Sequence, residues 1–131
     1  MAFSQAIEVR FSDLDALGHV NHAVFITYLE QARWRWWEQF LAGRPFLEEG
    51  FLIARVEIDY RKPILLDDAI RVEMRCTQVG NTSFTVGYTV IRERDQVVLA
   101  EAHTVQVSMD FQSQRPRPLR PATLAWLKEQ L

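Results

Sequence analysis

The sequence predicts an α+β fold in which one long helix lies on a curved antiparallel sheet. Asn21 to about Leu41 contains no Gly or Pro and repeats apolar residues at helical spacing. Later runs alternate apolar and polar residues, and short polar connections join them.

The first element expected is a half-buried strand, because Ile7, Val9 and Phe11 alternate with Glu8, Arg10 and Ser12. The long helix follows a polar stretch. Its core stripe is Phe25, Leu29, Ala32, Trp36 and Phe40, with Tyr28 between them. Asn21 suits the N-cap, since its side chain can accept a free N–H of the first turn, and Gly43 and Pro45 mark the stop. At about 100° per residue, Trp34 falls nearly opposite the stripe and Trp37 at its flank. Such an indole face is expected to need a cover, either a partner subunit or a ligand.

Four strands are expected next. Ala54, Val56, Ile58 and Tyr60 alternate with charged residues, as do Ile70, Val72, Met74 and Cys76; Phe84 to Val90 and about Val97 to Met109 form two more runs. "PILLDD", "VGNTS" and "RERDQ" read as turns, and connections this short imply antiparallel pairing. "QSQRPRPLRP" holds too much proline for a central strand, and "PATLAWLKEQL" reads as a short helix with Pro in its first turn.

A chain of 131 residues fits one domain, 1–131. Its 48% hydrophobic and 24% charged composition is that of a folded globular chain rather than a disordered one. A net charge of −2 gives no positive field for nucleic acid. The single cysteine, Cys76, precludes an internal disulfide and is expected to be buried filler in a reducing compartment. "MAFSQAIEVRF" has no basic stretch followed by an apolar one, and no apolar run approaches membrane-spanning length. A cytoplasmic protein with no membrane span is expected.

The stretch "FSDLDALGHVNHAVF" concentrates carboxylates, histidines and an asparagine at the junction of strand and helix. Asp13, Asp15 and Gly18 match the opening of a calcium loop, but Leu17 and Val24 stand where two further ligands are required. His19 and His22 lie i, i+3 without a zinc-binding frame, so no metal is expected. No G-x-S-x-G occurs. There remains a carboxylate beside a helix N-terminus, whose first N–H groups, around His22 and Ala23, lack intrahelical partners. Such donors suit an oxyanion, and a carboxylate can attack a carbonyl or deprotonate water, so the pair describes acyl transfer to water without serine or metal.

"DLDALGHVNHAVFITYLEQAR" resembles the signature of the hotdog-fold acyl-CoA thioesterases, the 4-hydroxybenzoyl-CoA thioesterase-like family. "VEIDYRKPILLDDAIRVEMR" resembles that family's next two strands, so the similarity covers nearly the whole chain. The resemblance implies a long helix wrapped by an antiparallel sheet, joined with a second subunit into a homodimer or homotetramer whose active sites lie at the interface. It implies hydrolysis of acyl-CoA to free acid and CoA with no cofactor, CoA being part of the substrate. Asp15 takes the role of nucleophile or general base, and the His22 N–H polarises the thioester carbonyl. His22 itself matches a histidine of the Tol-Pal-associated branch, while His19 and Asn21 of "GHVNH" resemble the "HVNN" of long-chain acyl-CoA thioesterases, with His22 in place of the second Asn. His19 either braces the loop or lines the site. Asp13 is expected to brace the loop, Gly18 to permit an unusual backbone conformation or a close approach, and Glu30 to be solvated or ion-paired.

Arg61 and Lys62 at a strand end suit the phosphates of CoA, as do Arg115, Arg117 and Arg120. Phe25, Tyr28 and Leu29 are candidates for the acyl tunnel, and most of them are expected to be simply core. Two rivals remain: a hotdog hydratase or dehydratase acting on acyl thioesters, and a non-catalytic acyl- or CoA-binding module. The sequence leaves open the acyl group, the choice of CoA or acyl carrier protein, and the choice of dimer or tetramer.

Overall fold

The computed structural model describes residues 3–45 and 50–131. The elements run β1 (Phe3–Ile7), a 3-10 turn (Phe11–Asp13), α1 (His22–Leu41), β2 (Phe51–Tyr60), β3 (Ile70–Val79), β4 (Ser83–Arg92), β5 (Val97–Asp110), β6 (Arg115–Pro116) and α2 (Pro121–Glu129). The sheet is antiparallel in the order β1-β3-β4-β5-β2, with β6 added to β5.

Three expectations need correction. The first strand ends before its alternation does: Ile7 pairs with Ile70, and the ladder stops there. Ile7 and Val9 are buried as alternation requires, but Phe11 lies in the 3-10 turn and is 80% exposed. The chain turns here because Asp13 is drawn inward, its carboxylate accepting from the Arg10 N–H at 2.9 Å.

Secondly, "PILLDD" is not a hairpin turn. β2 and β3 are separated by β4 and β5, so this connection crosses the end of the sheet. It is anchored on the way: the Arg61 and Lys62 N–H groups bond the Leu99 carbonyl, Val20 N–H bonds the Ile64 carbonyl, and Asp68 accepts from Leu65 N–H. Ile64 is fully buried, so the crossover caps the core instead of looping into solvent.

Thirdly, Trp37 is not part of an exposed indole face. It stacks on Phe51 at 4.8 Å and packs with Trp36, Phe40, Phe84 and Trp126. The rings come from α1, β2, β4 and α2, a convergence that helical phase alone does not disclose. Trp34 does remain partly exposed, at 44%.

Phe25, Tyr28, Leu29, Ala32 and Trp36 bury the face of α1 in one core cluster with Val72, Met74, Cys76, Val86 and Tyr88 of the sheet. Burial of Leu29 alone contributes about 2 kcal/mol. Cys76 is buried filler, its thiol pushed up to about 11 by burial.

β2 is an edge strand. Phe51, Ile53, Val56, Ile58 and Tyr60 point toward the helix side, the register being kept by a bulge between Ile53 and Arg55, yet Ile53, Val56 and Tyr60 are each exposed. The sealed side of α1 therefore faces β1, β3 and β4, and an open apolar groove runs along its β2 side. No helix among the described residues is long and apolar enough to cross a membrane.

Candidate active site

Asn21 caps α1 as its type predicts: its side-chain oxygen accepts from Ala23 N–H at 2.9 Å, and its carbonyl accepts from Val24 N–H. Of the two N–H groups considered for an oxyanion, Ala23 is thus taken by the cap. The His22 N–H bonds nothing among the described residues and carries the positive end of a twenty-residue helix.

The preceding loop is pinned below. Asp13, 2% exposed, accepts from the Tyr28 hydroxyl at 2.7 Å and from the Arg10 guanidinium at 3.0 Å, while its own carbonyl accepts from Asn21 N–H. Burial pushes the Asp13 carboxyl upward, but the bonds from Tyr28 and Arg10 outweigh it and hold the carboxyl below its ordinary value. Burial, and then the Asp13 charge, push the Tyr28 hydroxyl well above its ordinary value, so it stays a donor. Asp13 braces the loop.

Between Leu14 and Val20, which form a bridge, the chain makes a tight turn that lifts Asp15 out of this buried layer. Asp15 N–H bonds the His19 carbonyl at 2.7 Å, and Asp15 Oδ1 accepts from Leu17 N–H at 2.9 Å and His19 N–H at 3.2 Å. Oδ2 bonds nothing among the described residues. Gly18 has φ +79°, a left-handed conformation, and a Cβ there would meet nothing; of its two expected reasons, backbone conformation is the operative one.

Asp15, His19, His22, Phe25, Arg61 and Lys62 line one cavity of about 320 Å³, together with Val20, Tyr60 and Pro63. Gly18 and Asn21 do not line it. Of the acyl-tunnel candidates only Phe25 lines this cavity; Tyr28 and Leu29 are core residues, as expected of most of the three, because the stripe that contains them faces the sealed side of the sheet. Glu30 is exposed and lies by a second cavity further along α1.

Sequence alone gives Tyr60 only as one apolar position of a strand. Its hydroxyl donates to the His22 carbonyl at 2.8 Å and its ring meets Phe25 edge-on at 5.0 Å, so it ties the end of β2 to the start of α1. Burial raises its hydroxyl above the ordinary value. The available signal is its place immediately before "RKP".

Arg61 is ion-paired to Glu101 at 2.9 Å, with Asp59 at 4.0 Å. Arg115 lies at the other end of β5, opposite Asp110, whereas Arg61 sits by Leu99. Within one chain, the two basic clusters expected to serve CoA are therefore separated by roughly 35 Å of strand. Among the described residues no group of three or more His, Cys, Asp or Glu side chains is placed to hold a metal ion.

One long helix lying on an antiparallel sheet is the layout of the hotdog fold. The family described as the thioesterase-like superfamily matches residues 9–127, and the chain belongs to it, as its "DLDALGHVNH" signature implied. A thioesterase of known structure from Thermus thermophilus, complexed with coenzyme A and Zn, is 37% identical and superposes with a TM-score of 0.82 over 97% of this chain and 94% of its own. A predicted thioesterase from Bacillus stearothermophilus is 26% identical, with a TM-score of 0.91 over 100% of this chain and 97% of its own. Among curated relatives, the long-chain acyl-CoA thioesterase FadM of Escherichia coli K12 is 28% identical over 83% of this chain and 84% of its own length. The 1,4-dihydroxy-2-naphthoyl-CoA hydrolase of Synechococcus elongatus is 27% identical over 92% and 90%.

Proposed function

We propose that this chain hydrolyses acyl-CoA thioesters to a free carboxylic acid and CoA, with Asp15 as the catalytic carboxylate and the His22 N–H as the oxyanion donor. The observation that carries the reading is one cavity lined both by Asp15, whose Oδ2 is unbonded among the described residues, and by His22, whose N–H starts a long helix and is uncapped among them. In the general-base form, Asp15 takes a proton from water as the water oxygen bonds the thioester carbon. The charge on the carbonyl oxygen is met by the His22 N–H, and collapse breaks the C–S bond and releases CoA thiolate, which takes up the proton. In the nucleophilic form, Asp15 bonds the carbon first, expels the thiolate, and the resulting anhydride is cleaved by water. His19 holds Asp15 through its backbone, and Asn21 positions the donor by capping its helix.

The active unit is a homo-oligomer in the cytoplasm, formed through the open edge of β2. An antiparallel partner strand there would bring the Tyr60 end of one copy beside the Phe51 end of the other. It would cover the groove along α1 and place the basic tail of one copy near Arg61 and Lys62 of the next, so that the CoA phosphates are shared between copies. A sedimentation mass equal to one chain contradicts this arrangement.

The direct test is thiol release from short-chain, long-chain and aromatic acyl-CoAs. Turnover on any class supports the reading and names the acyl group. CoA binding without turnover favours the non-catalytic module, and solvent-proton exchange at the acyl α-carbon favours the hydratase.

A further inference from the structure

Tyr60 lines the cavity shared by Asp15 and His22, and its hydroxyl is bonded to the protein itself, donating to the His22 carbonyl at 2.8 Å. Neither partner needs this bond. At the N-terminal end of a helix the orphan groups are N–H, whereas the carbonyls of the first turn already accept from N–H groups one turn on. Tyr60 is 45% exposed, so water can serve its hydroxyl as well. What the bond adds is a fixed direction for the first residue of α1.

The tie is held from the sheet side. Tyr60 closes β2 by pairing with Ala100, and the next two N–H groups, of Arg61 and Lys62, both bond the Leu99 carbonyl. Its ring meets the buried Phe25 edge-on at 5.0 Å, which limits the swing of the hydroxyl. The bonds on Asn21, by contrast, are local: its N–H to the Asp13 carbonyl, its Oδ1 from Ala23 N–H, and its carbonyl from Val24 N–H. These fasten the turn to itself, and the Tyr60 hydroxyl fastens it to the sheet. Helix ends fray, and a donor serves an oxyanion only at about 2.7–3.1 Å from where the charge forms.

We infer that Tyr60 is a positioning residue for thioester hydrolysis: through the His22 carbonyl it holds the first residue of α1 so that the His22 N–H points at the carbonyl oxygen under attack. The inference rests on the thioesterase reading. Tyr60 acts through His22 and bonds no reacting atom, so its effect separates from substrate binding. The ground state, held by contacts to the acyl group and CoA, changes little when the donor drifts, whereas the transition state loses an interaction that only an aligned donor makes.

The test is Tyr60→Phe in the full chain, which keeps the ring against Phe25 and removes only the hydroxyl. On the best acyl-CoA, kcat should fall about tenfold with KM kept within about twofold. That is less than the roughly 100-fold to 1,000-fold loss that follows deletion of an oxyanion donor, because the N–H is misaimed rather than removed. In ¹⁵N NMR the His22 amide should shift and its order parameter fall, while the Trp36 amide of the same helix is unmoved. Wild-type kcat in the variant overturns the inference, as does a loss carried by KM, or a loss of kcat with the His22 amide unmoved. If the wild type hydrolyses no thioester, the thioesterase reading fails instead. The holding role of Tyr60 is then judged by the NMR comparison alone, and an unmoved His22 amide overturns it.

Discussion

Asp13 and Asp15 are two residues apart and of one chemical type, yet the fold gives them opposite surroundings. Asp13 is buried, with both carboxylate oxygens spent on Tyr28 and Arg10. Asp15 is exposed, with one oxygen used to close its own turn and the other unbonded among the described residues, at a cavity beside a helix N-terminus. The difference arises from the turn between them: Asp13 is fastened to the helix it precedes, and that anchor lets the next residues arch outward. A carboxylate whose oxygens are all committed holds structure, whereas one with an oxygen to spare can act.

The largest effect should follow from Asp15→Asn, which preserves the Oδ1 acceptor and removes the base. Its kcat for thiol release should fall about 100-fold to 10,000-fold, with melting temperature nearly unchanged. A single turnover in ¹⁸O-water then separates the two mechanisms, since label in Asp15 itself marks the nucleophilic form.

Asp13→Asn should do the reverse, costing about 2 kcal/mol of stability by weakening charge-assisted bonds to Tyr28 and Arg10, which corresponds to a melting temperature roughly 6–10 °C lower. The acid limb of stability sharpens the contrast. The folded-state pKa of Asp13 lies below its ordinary value, so its contribution is complete above the unfolded pKa and is lost as pH falls through the folded one. Urea unfolding below pH 4 should therefore depend less steeply on pH in Asp13→Asn than in the wild type.

Smaller effects are expected where the loop is shaped rather than charged. Gly18→Ala should cost about 1 kcal/mol, because φ +79° strains any residue with a Cβ although no atom obstructs it. Asn21→Ala should cost about 1 kcal/mol through loss of the cap. Both are read from chemical denaturation, and both should lower kcat by misplacing Asp15 or the His22 N–H.

The local shape of the loop that carries the two acids is legible in the sequence because it rests on short-range chemistry. An Asx-type turn, a glycine in a left-handed conformation and an asparagine cap are all determined within a few residues of one another. Long-range placement is not. Whether "PILLDD" reverses or crosses the sheet depends on β2 pairing with β5, a choice made much later in the chain. Trp37 and Tyr60 escape a local reading for the same reason: the first is buried by Phe51, Phe84 and Trp126, and the second acquires its role only when β2 returns to the start of α1. The end of the first strand is hidden too, because alternation continues through Val9 after pairing with β3 has stopped.

The most direct test of the central claim is kcat for thiol release by Asp13→Asn and Asp15→Asn side by side, well below either melting temperature and on the best acyl-CoA. The account predicts near wild-type turnover in the first and a loss of at least about 100-fold in the second. Turnover surviving in Asp15→Asn and collapsing in a folded Asp13→Asn would show that the buried carboxylate, not the exposed one, performs the chemistry.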